Sequence, residues 1–209
     1  MEVTDRPLRA DAERNRLRLL AAAHSVFAAQ GLDAGVEEIA REAGVGVGTL
    51  YRRFPTKESL VAAIVEQRFA AISSSFAAVA ASSELEPWEA FEACALALAQ
   101  AIAEDRGFFQ VVSETVGRLD EIRAMRAAML AVLEPVVRRA QEAGVVRGDV
   151  TVEDVPALCA VAARLPRWKL EESPEVWRRY LGIVLDGLRP DGATPLPTAE
   201  WPDRAAARR

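Results

Sequence analysis

The stretch Gly44-Val-Gly-Val-Gly-Thr-Leu-Tyr-Arg-Arg-Phe-Pro-Thr-Lys57 decides the reading of this chain. It holds three basic side chains, Arg52, Arg53 and Lys57, and no acidic one. Residues 47–54 have the spacing of a short helix, with Leu50 and Phe54 on one face and Thr49, Tyr51, Arg52 and Arg53 off it. Pro55 stops that helix, because the residue before a proline is driven out of the helical region. Gly44-Val45-Gly46 makes the turn before it, and residues 36–43 form a second short helix whose apolar face is Val36, Ile39, Ala40 and Ala43. Two short amphipathic helices across a glycine turn, the second one basic, are the layout of a helix-turn-helix whose second helix enters a DNA major groove.

Outward from this motif the chain reads as helix after helix. Leu17, Leu20, Ala23 and Phe27 give a first helix over 11–30, ended by Gly31. Thr56 is a natural N-cap for a helix over 57–79. Pro87 suits the first turn of a helix over 87–104. Shorter or longer helices follow at 107–117, 120–143, 153–165 and 174–188, with Gly144 and Gly148 marking one loop. Residues 1–10 are expected to be a flexible arm. Residues 190–209, with four prolines and an arginine-ended tail, are expected to be disordered. No strand pattern interrupts the series. The expected fold is all-α: a three-helix DNA-binding head over 11–56 and a larger helical regulatory and dimerisation body over 57–189.

Composition narrows the possibilities. Of the 209 residues 51% are hydrophobic, enough for a buried core, and much of that is alanine, which favours closely packed helices. The net charge of -5 argues against non-specific coating of nucleic acid, so any DNA-binding charge is local. Five arginines between Arg6 and Arg18, facing only Asp11 and Glu13, are one local source. Two unclustered cysteines, Cys94 and Cys159, suit neither a disulfide framework nor a zinc site and point to a reducing cytoplasm. No apolar run reads as long enough, at roughly 20 residues, to span a bilayer, and the N-terminus lacks an apolar signal core.

The stretch over about residues 14–62 resembles the TetR family of transcriptional regulators. The resemblance is carried by Ala22-Ala-His-Ser-Val-Phe27, Gly31, Val36-Glu-Glu-Ile-Ala40, Ala43-Gly-Val45, Gly48-Thr-Leu-Tyr-Arg-Arg-Phe54 and Thr56-Lys-Glu-Ser-Leu60. More weakly, Trp177 to Pro190 resembles one branch of that family. The resemblance implies a helix-turn-helix head, a ligand-binding helical body and a homodimer. It also implies that Val47, Gly48, Thr49, Tyr51, Arg53 and Lys57 contact DNA. Two positions depart from the family pattern: Arg53 stands where many relatives carry His, and His24 where an aliphatic residue is common. An arginine at 53 is longer and always charged, which shifts base preference and salt sensitivity.

Elementary chemistry gives these residues compatible roles. Val47 and Gly48 are small enough for the backbone to approach base edges. Thr49 can bond a phosphate or touch a thymine methyl, and the Tyr51 hydroxyl can reach a phosphate. Arg53 is the better placed base reader, able to span guanine O6 and N7, and the adjacent Arg52 the better phosphate or solvent residue. Lys57, at the start of a helix, adds to an end that already attracts phosphate. The Gly44-x-Gly-x-Gly48 spacing does not fit a phosphate loop, since it follows a helix rather than a strand. A lone His24 makes neither a metal site nor a catalytic triad. With no nucleophile motif and no cofactor fingerprint, no enzyme is expected and no cofactor is implied.

The body offers less specific signals. Trp88, Phe91, Phe108, Phe109, Met125, Met129 and Trp168 are candidates to line an apolar ligand cavity, or else fill ordinary core. One of Glu114, Arg118, Arg123 and Arg126 is a candidate anchor for a ligand's polar end. Leu158, Ala162, Leu165, Tyr180, Ile183 and Val184 are candidates for a helical interface between subunits, as in the family's four-helix bundle. The expected function is a ligand-responsive, homodimeric, cytoplasmic repressor. Its partners are a near-palindromic double-stranded DNA operator, a second copy of itself and a small, largely apolar effector, with no membrane involved. A DNA-binding protein without an effector, its body dry and fully packed, is the competing expectation.

Overall fold

The computed structural model describes residues 5–105, 109, 120–165 and 172–197, with side chains from residue 13 onward. Among the described residues there are eight helices and no strand. They are α1 (Asp5–Gln30), α2 (Val36–Glu42), α3 (Val47–Arg53), α4 (Lys57–Ala81), α5 (Pro87–Glu104), α6 (Asp120–Glu142), α7 (Asp154–Ala163) and α8 (Val176–Gly187). The helix expected at 107–117 lies outside the described residues.

Local chemistry sets most boundaries. After α2, Gly44 takes φ +67°, a conformation that favours glycine. There the Gly44 N–H donates to the Arg41 carbonyl at 3.1 Å and the Val45 N–H to the Ala40 carbonyl at 2.9 Å, the paired bonds of a Schellman motif. Pro55 leaves Phe54 extended at φ −130°, and α3 ends there. Thr56 then caps α4 reciprocally with Ser59: each backbone N–H donates to the other's hydroxyl, at 3.1 and 3.2 Å.

α1, α2 and α3 fold around Leu19, Leu20, Ala23, Ile39 and Leu50, all at most 1% exposed. α4 completes this head with Leu60, Val61, Ile64 and Val65, then carries Phe69, Ile72 and Phe76 onward into the body. There it packs most extensively on α6, and also on α5. α5 in turn packs on α7 and α8. Head and body therefore share one continuous apolar core. α4 is long and apolar enough to cross a membrane by length and composition, contrary to the sequence reading, but one face of it packs into the core against α5 and α6.

Both expected termini are corrected. The helix over 11–30 begins earlier, at Asp5, so 5–10 are not an arm. Pro7 falls in the first turn, where its missing N–H has no helical partner to lose. At the other end, residues 190–197 are held against the body, not disordered, while 198–209 lie outside the described residues. The Arg147 guanidinium forks onto the Asp149 carboxylate at 2.6 and 2.9 Å and also donates to the Thr194 carbonyl. Asp149 accepts the Leu196 N–H at 3.0 Å. Arg189 lies 3.7 Å from the Trp88 ring centroid, pinning the chain after α8 to the start of α5.

The Arg147 bond, then the Leu196 N–H, hold the Asp149 carboxyl well below the usual carboxylate range. A carboxyl depressed on folding contributes its full docking strength above its ordinary pKa, near about 3.9, and loses it only as pH falls through the depressed value. The Leu196 amide is accordingly expected to stay protected from hydrogen exchange down through pH 4. Asp149→Ala, which has no acceptor for the Leu196 N–H, should remove that protection at neutral pH while leaving the α4 amides unchanged.

Candidate nucleic-acid interface and body cavity

The exposed side of α3 carries Gly48, Tyr51, Arg52 and Arg53, with Val47 and Thr49 half-buried. Leu50 and Phe54 face inward, 1% and 6% exposed, and fix the helix on the head core. Tyr51 is 45% exposed, far more than the fold needs from an aromatic side chain. A Cβ built on Gly48 meets no atom within 4 Å, so the fold imposes no steric need for glycine there. A glycine inside a helix is destabilising by about 0.5–1 kcal/mol relative to alanine. The glycine instead leaves the helix surface bare beside Tyr51 and Arg52, three and four residues on.

Lys57 is placed differently from the sequence reading. Its ammonium donates to the Ala34 carbonyl at 2.7 Å and lies 5.7 Å from the centre of the Phe27 ring. It straps the α1–α2 turn to the start of α4 through one of its three N–H donors.

His24, the one histidine, joins head to body. Its Nε2 contacts the Asp105 carboxylate at the C-terminal end of α5, and the same carboxylate takes Arg68 of α4 at 3.0 Å. The sequence excluded a metal site or triad for His24 but named no partner for it. Its partners lie 81 and 44 residues away and no local pattern announces them.

A cavity of about 300 Å³ opens between α4, α5, α6 and α7. Its apolar wall includes Phe69, Leu98, Ile102, Phe109 and Met129, and its charged side chains are Arg126 and Arg164. Of the aromatic and methionine candidates, Phe109 and Met129 line it. Met125 packs on the core beside it, Phe91 is fully buried core, and Trp88 sits under Arg189 at the start of α5. Phe108 and Trp168 lie outside the described residues. Arg164 was missed: as the residue that closes α7 it looks in sequence like any helix-end cation, but its guanidinium donates to the Phe109 carbonyl at 2.7 Å. Phe109 also walls a second cleft, of about 250 Å³, beside His24, Arg68 and Asp105. Its N–H donates to the Asp105 carbonyl at 3.1 Å. A short bonded path thus runs from the cavity to the head.

On the outer side of α7 and α8, Val161 is 71% and Ile183 59% exposed. Leu158, Leu165, Tyr180 and Val184 are half-buried. Ala162 is only 2% exposed and packs inside its own chain, so it has no surface to offer a partner, while Val161 beside it does. Cys94 and Cys159 are buried, and burial pushes their thiols up to about 11 and about 12. Both stay protonated and unreactive at neutral pH.

Two family profiles match this architecture in sequence. One, described as bacterial regulatory proteins of the tetR family, matches residues 19–64, the head and the start of α4. The other, described as the C-terminal domain of SbtR-like transcriptional regulators, matches residues 86–190, the body. The chain belongs to the TetR family of transcriptional regulators. A solved TetR transcription regulatory protein from Mycobacterium vanbaalenii is 37% identical over 88% of this chain and 99% of its own, with a TM-score of 0.60. A TetR regulator from Streptomyces coelicolor is 36% identical over 84% of this chain and 99% of its own, with a TM-score of 0.58. Among curated relatives, an HTH-type transcriptional regulator of Staphylococcus aureus (strain USA300) is 38% identical over 61 residues. That match covers 29% of this chain, and the chain spans only 33% of that relative's length. The family has a helix-turn-helix, DNA-binding head, which gives the bare basic face of α3 its meaning.

Gly48 is a position where folding and DNA binding can be tested apart, because the fold leaves open space there. Gly48→Ala should raise the stability of the free protein by about 0.5–1 kcal/mol, read as a higher urea midpoint. Gly48→Leu should fold equally well but lower DNA affinity by at least tenfold. Equal DNA affinity for wild type and Gly48→Leu would show that nothing approaches this face.

Proposed function

We propose that the chain is a homodimeric repressor that binds a near-palindromic DNA operator and is released by a small, largely apolar effector. The observation that carries the reading is the α3 surface, where Arg52, Arg53 and Tyr51 stand exposed around a glycine the fold does not require. Val47, Gly48 and Thr49 allow close approach, Arg53 reads a base edge, and Tyr51 and Arg52 bond the backbone. Lys57 holds the α1–α2 turn through one N–H and keeps two further N–H donors for a phosphate.

The outward apolar pair Val161 and Ile183, with Leu158, Tyr180 and Val184 beside them, supports pairing of α7 and α8 with the same helices of a second copy. A two-fold dimer then presents two α3 helices to successive major grooves, and operator symmetry follows protein symmetry. The 300 Å³ cavity favours an effector over regulation without one, since a body meant only for packing would be filled. An effector acts only by binding one head arrangement better than another. The contacts Arg164–Phe109–Asp105–His24 offer the cavity a physical connection to α1.

Selection from random duplexes tests the DNA half of this reading. Wild-type protein should enrich a two-fold symmetric sequence. Arg53→Ala should keep that sequence but lose preference at one base pair in each half-site, by about 1–3 kcal/mol of discrimination. Unchanged preference would remove Arg53 as base reader. The connection to the body has its own readout. His24→Ala should speed amide exchange across α1–α3 and leave α6 and α7 as they were. Exchange that changes nowhere in the head would sever the proposed path.

A further inference from the structure

Resting on the dimer reading above, we propose that α8 lies antiparallel against the α8 of a second copy, centred between Gly182 and Ile183, with Arg179 of each copy facing the partner's Asp186. Trp177, Leu181 and Leu185 bury the inner face of α8 in its own body. The opposite face carries Arg179, Gly182, Ile183 and Asp186, spaced i, i+3, i+4 and i+7 and all exposed. Ile183 is 59% exposed, and Val161 on the adjoining α7 is 71% exposed. A Cβ built on Gly182 meets no atom within 4 Å, so nothing in its own chain calls for the glycine that weakens α8 there. The glycine leaves a hole that an isoleucine from a facing helix can fill.

Symmetry and charge fix the direction. In a two-fold interface the same patch serves both copies, so it must be complementary to itself. The midpoint of residues 179 and 186 falls between 182 and 183. Antiparallel helices crossing there set Ile183 over the partner's Gly182 and Arg179 beside the partner's Asp186, each contact made twice. Parallel helices would instead bring arginine to arginine and aspartate to aspartate. Arg179 and Asp186 cannot pair with each other in one chain, since that stretch of helix holds them about 10 Å apart. Their neighbours are engaged elsewhere: Glu175 is taken by Arg178, and Arg189 lies over Trp88. Among the described residues neither Arg179 nor Asp186 makes an ion pair. Charges so placed act mainly on specificity, admitting a copy with matching charges and repelling a chain that sets like against like.

Sedimentation equilibrium of the full-length protein at low salt tests this pairing. Wild type is expected to dimerise. Arg179→Asp sets carboxylate against carboxylate across the two-fold, and Asp186→Arg sets guanidinium against guanidinium. Each single variant should self-associate roughly tenfold more weakly than wild type. Its circular dichroism should stay unchanged, since both positions are exposed. Mixed in equal amounts, the two variants should form a heterodimer as tight as the wild-type dimer, because both cross-pairs then attract. These differences should shrink as salt rises. A wild-type monomer would overturn the dimer reading and this pairing together. A wild-type dimer whose single variants associate as tightly, or whose mixture is no tighter than either variant alone, overturns the antiparallel pairing and leaves the dimer standing.

Discussion

Everything in this molecule depends on α4 running through one core that head and body share. Its first turns supply Leu60, Val61, Ile64 and Val65 to the head, and its later turns supply Phe69, Ile72 and Phe76 to the body. A 25-residue helix is stiff over its length and cannot bury both stretches independently. A shift of α6 or α5 against its C-terminal half must therefore move the N-terminal half, or strain the packing there. The cap at Thr56 and Ser59 and the strap from Lys57 to Ala34 fasten the head to the front of this helix. The Arg68 bond to Asp105 fastens its middle to the end of α5. The packing of the body and the posture of the head are thereby linked through contacts rather than by a flexible hinge.

The head divides its residues between those that hold α3 and those that α3 leaves exposed. Leu50 and Phe54 anchor α3, and Lys57 bonds the adjoining turn. What remains outward is chemically sparse: two guanidinium groups, a phenol, a threonine and a glycine. On a chain with net charge -5, such a local basic face gives attraction without general adhesion to nucleic acid.

The fold was largely legible because its punctuation is local. Gly31, Gly44, Pro55, Thr56 and Pro87 act within a few residues of themselves, and the elements end or begin where those residues require. The termini were misread because composition was taken for disorder. Pro7 is harmless in a first turn, and the stretch after α8 is held by Arg147 and Asp149, far away in sequence. The site was legible where it sits on one helix and illegible where it is assembled from several. The face of α3 follows from its own spacing. His24 meeting Asp105, Trp88 beneath Arg189 and Arg164 at the cavity are tertiary facts, invisible to any window of sequence. Aromatic residues mislead for the same reason: Phe91 and Phe109 look alike in sequence, yet one is sealed core and the other walls two cavities.

The central claim is that two α3 helices engage DNA together as a symmetric pair. Footprinting of the purified protein on the DNA flanking its own gene, across a salt titration, tests it most directly. The account predicts two protected half-sites related by a dyad, about one helical turn (roughly 34–36 Å) apart or a multiple of that, occupied together and lost together as salt rises. Protection of a single half-site, or of any sequence equally, would contradict it.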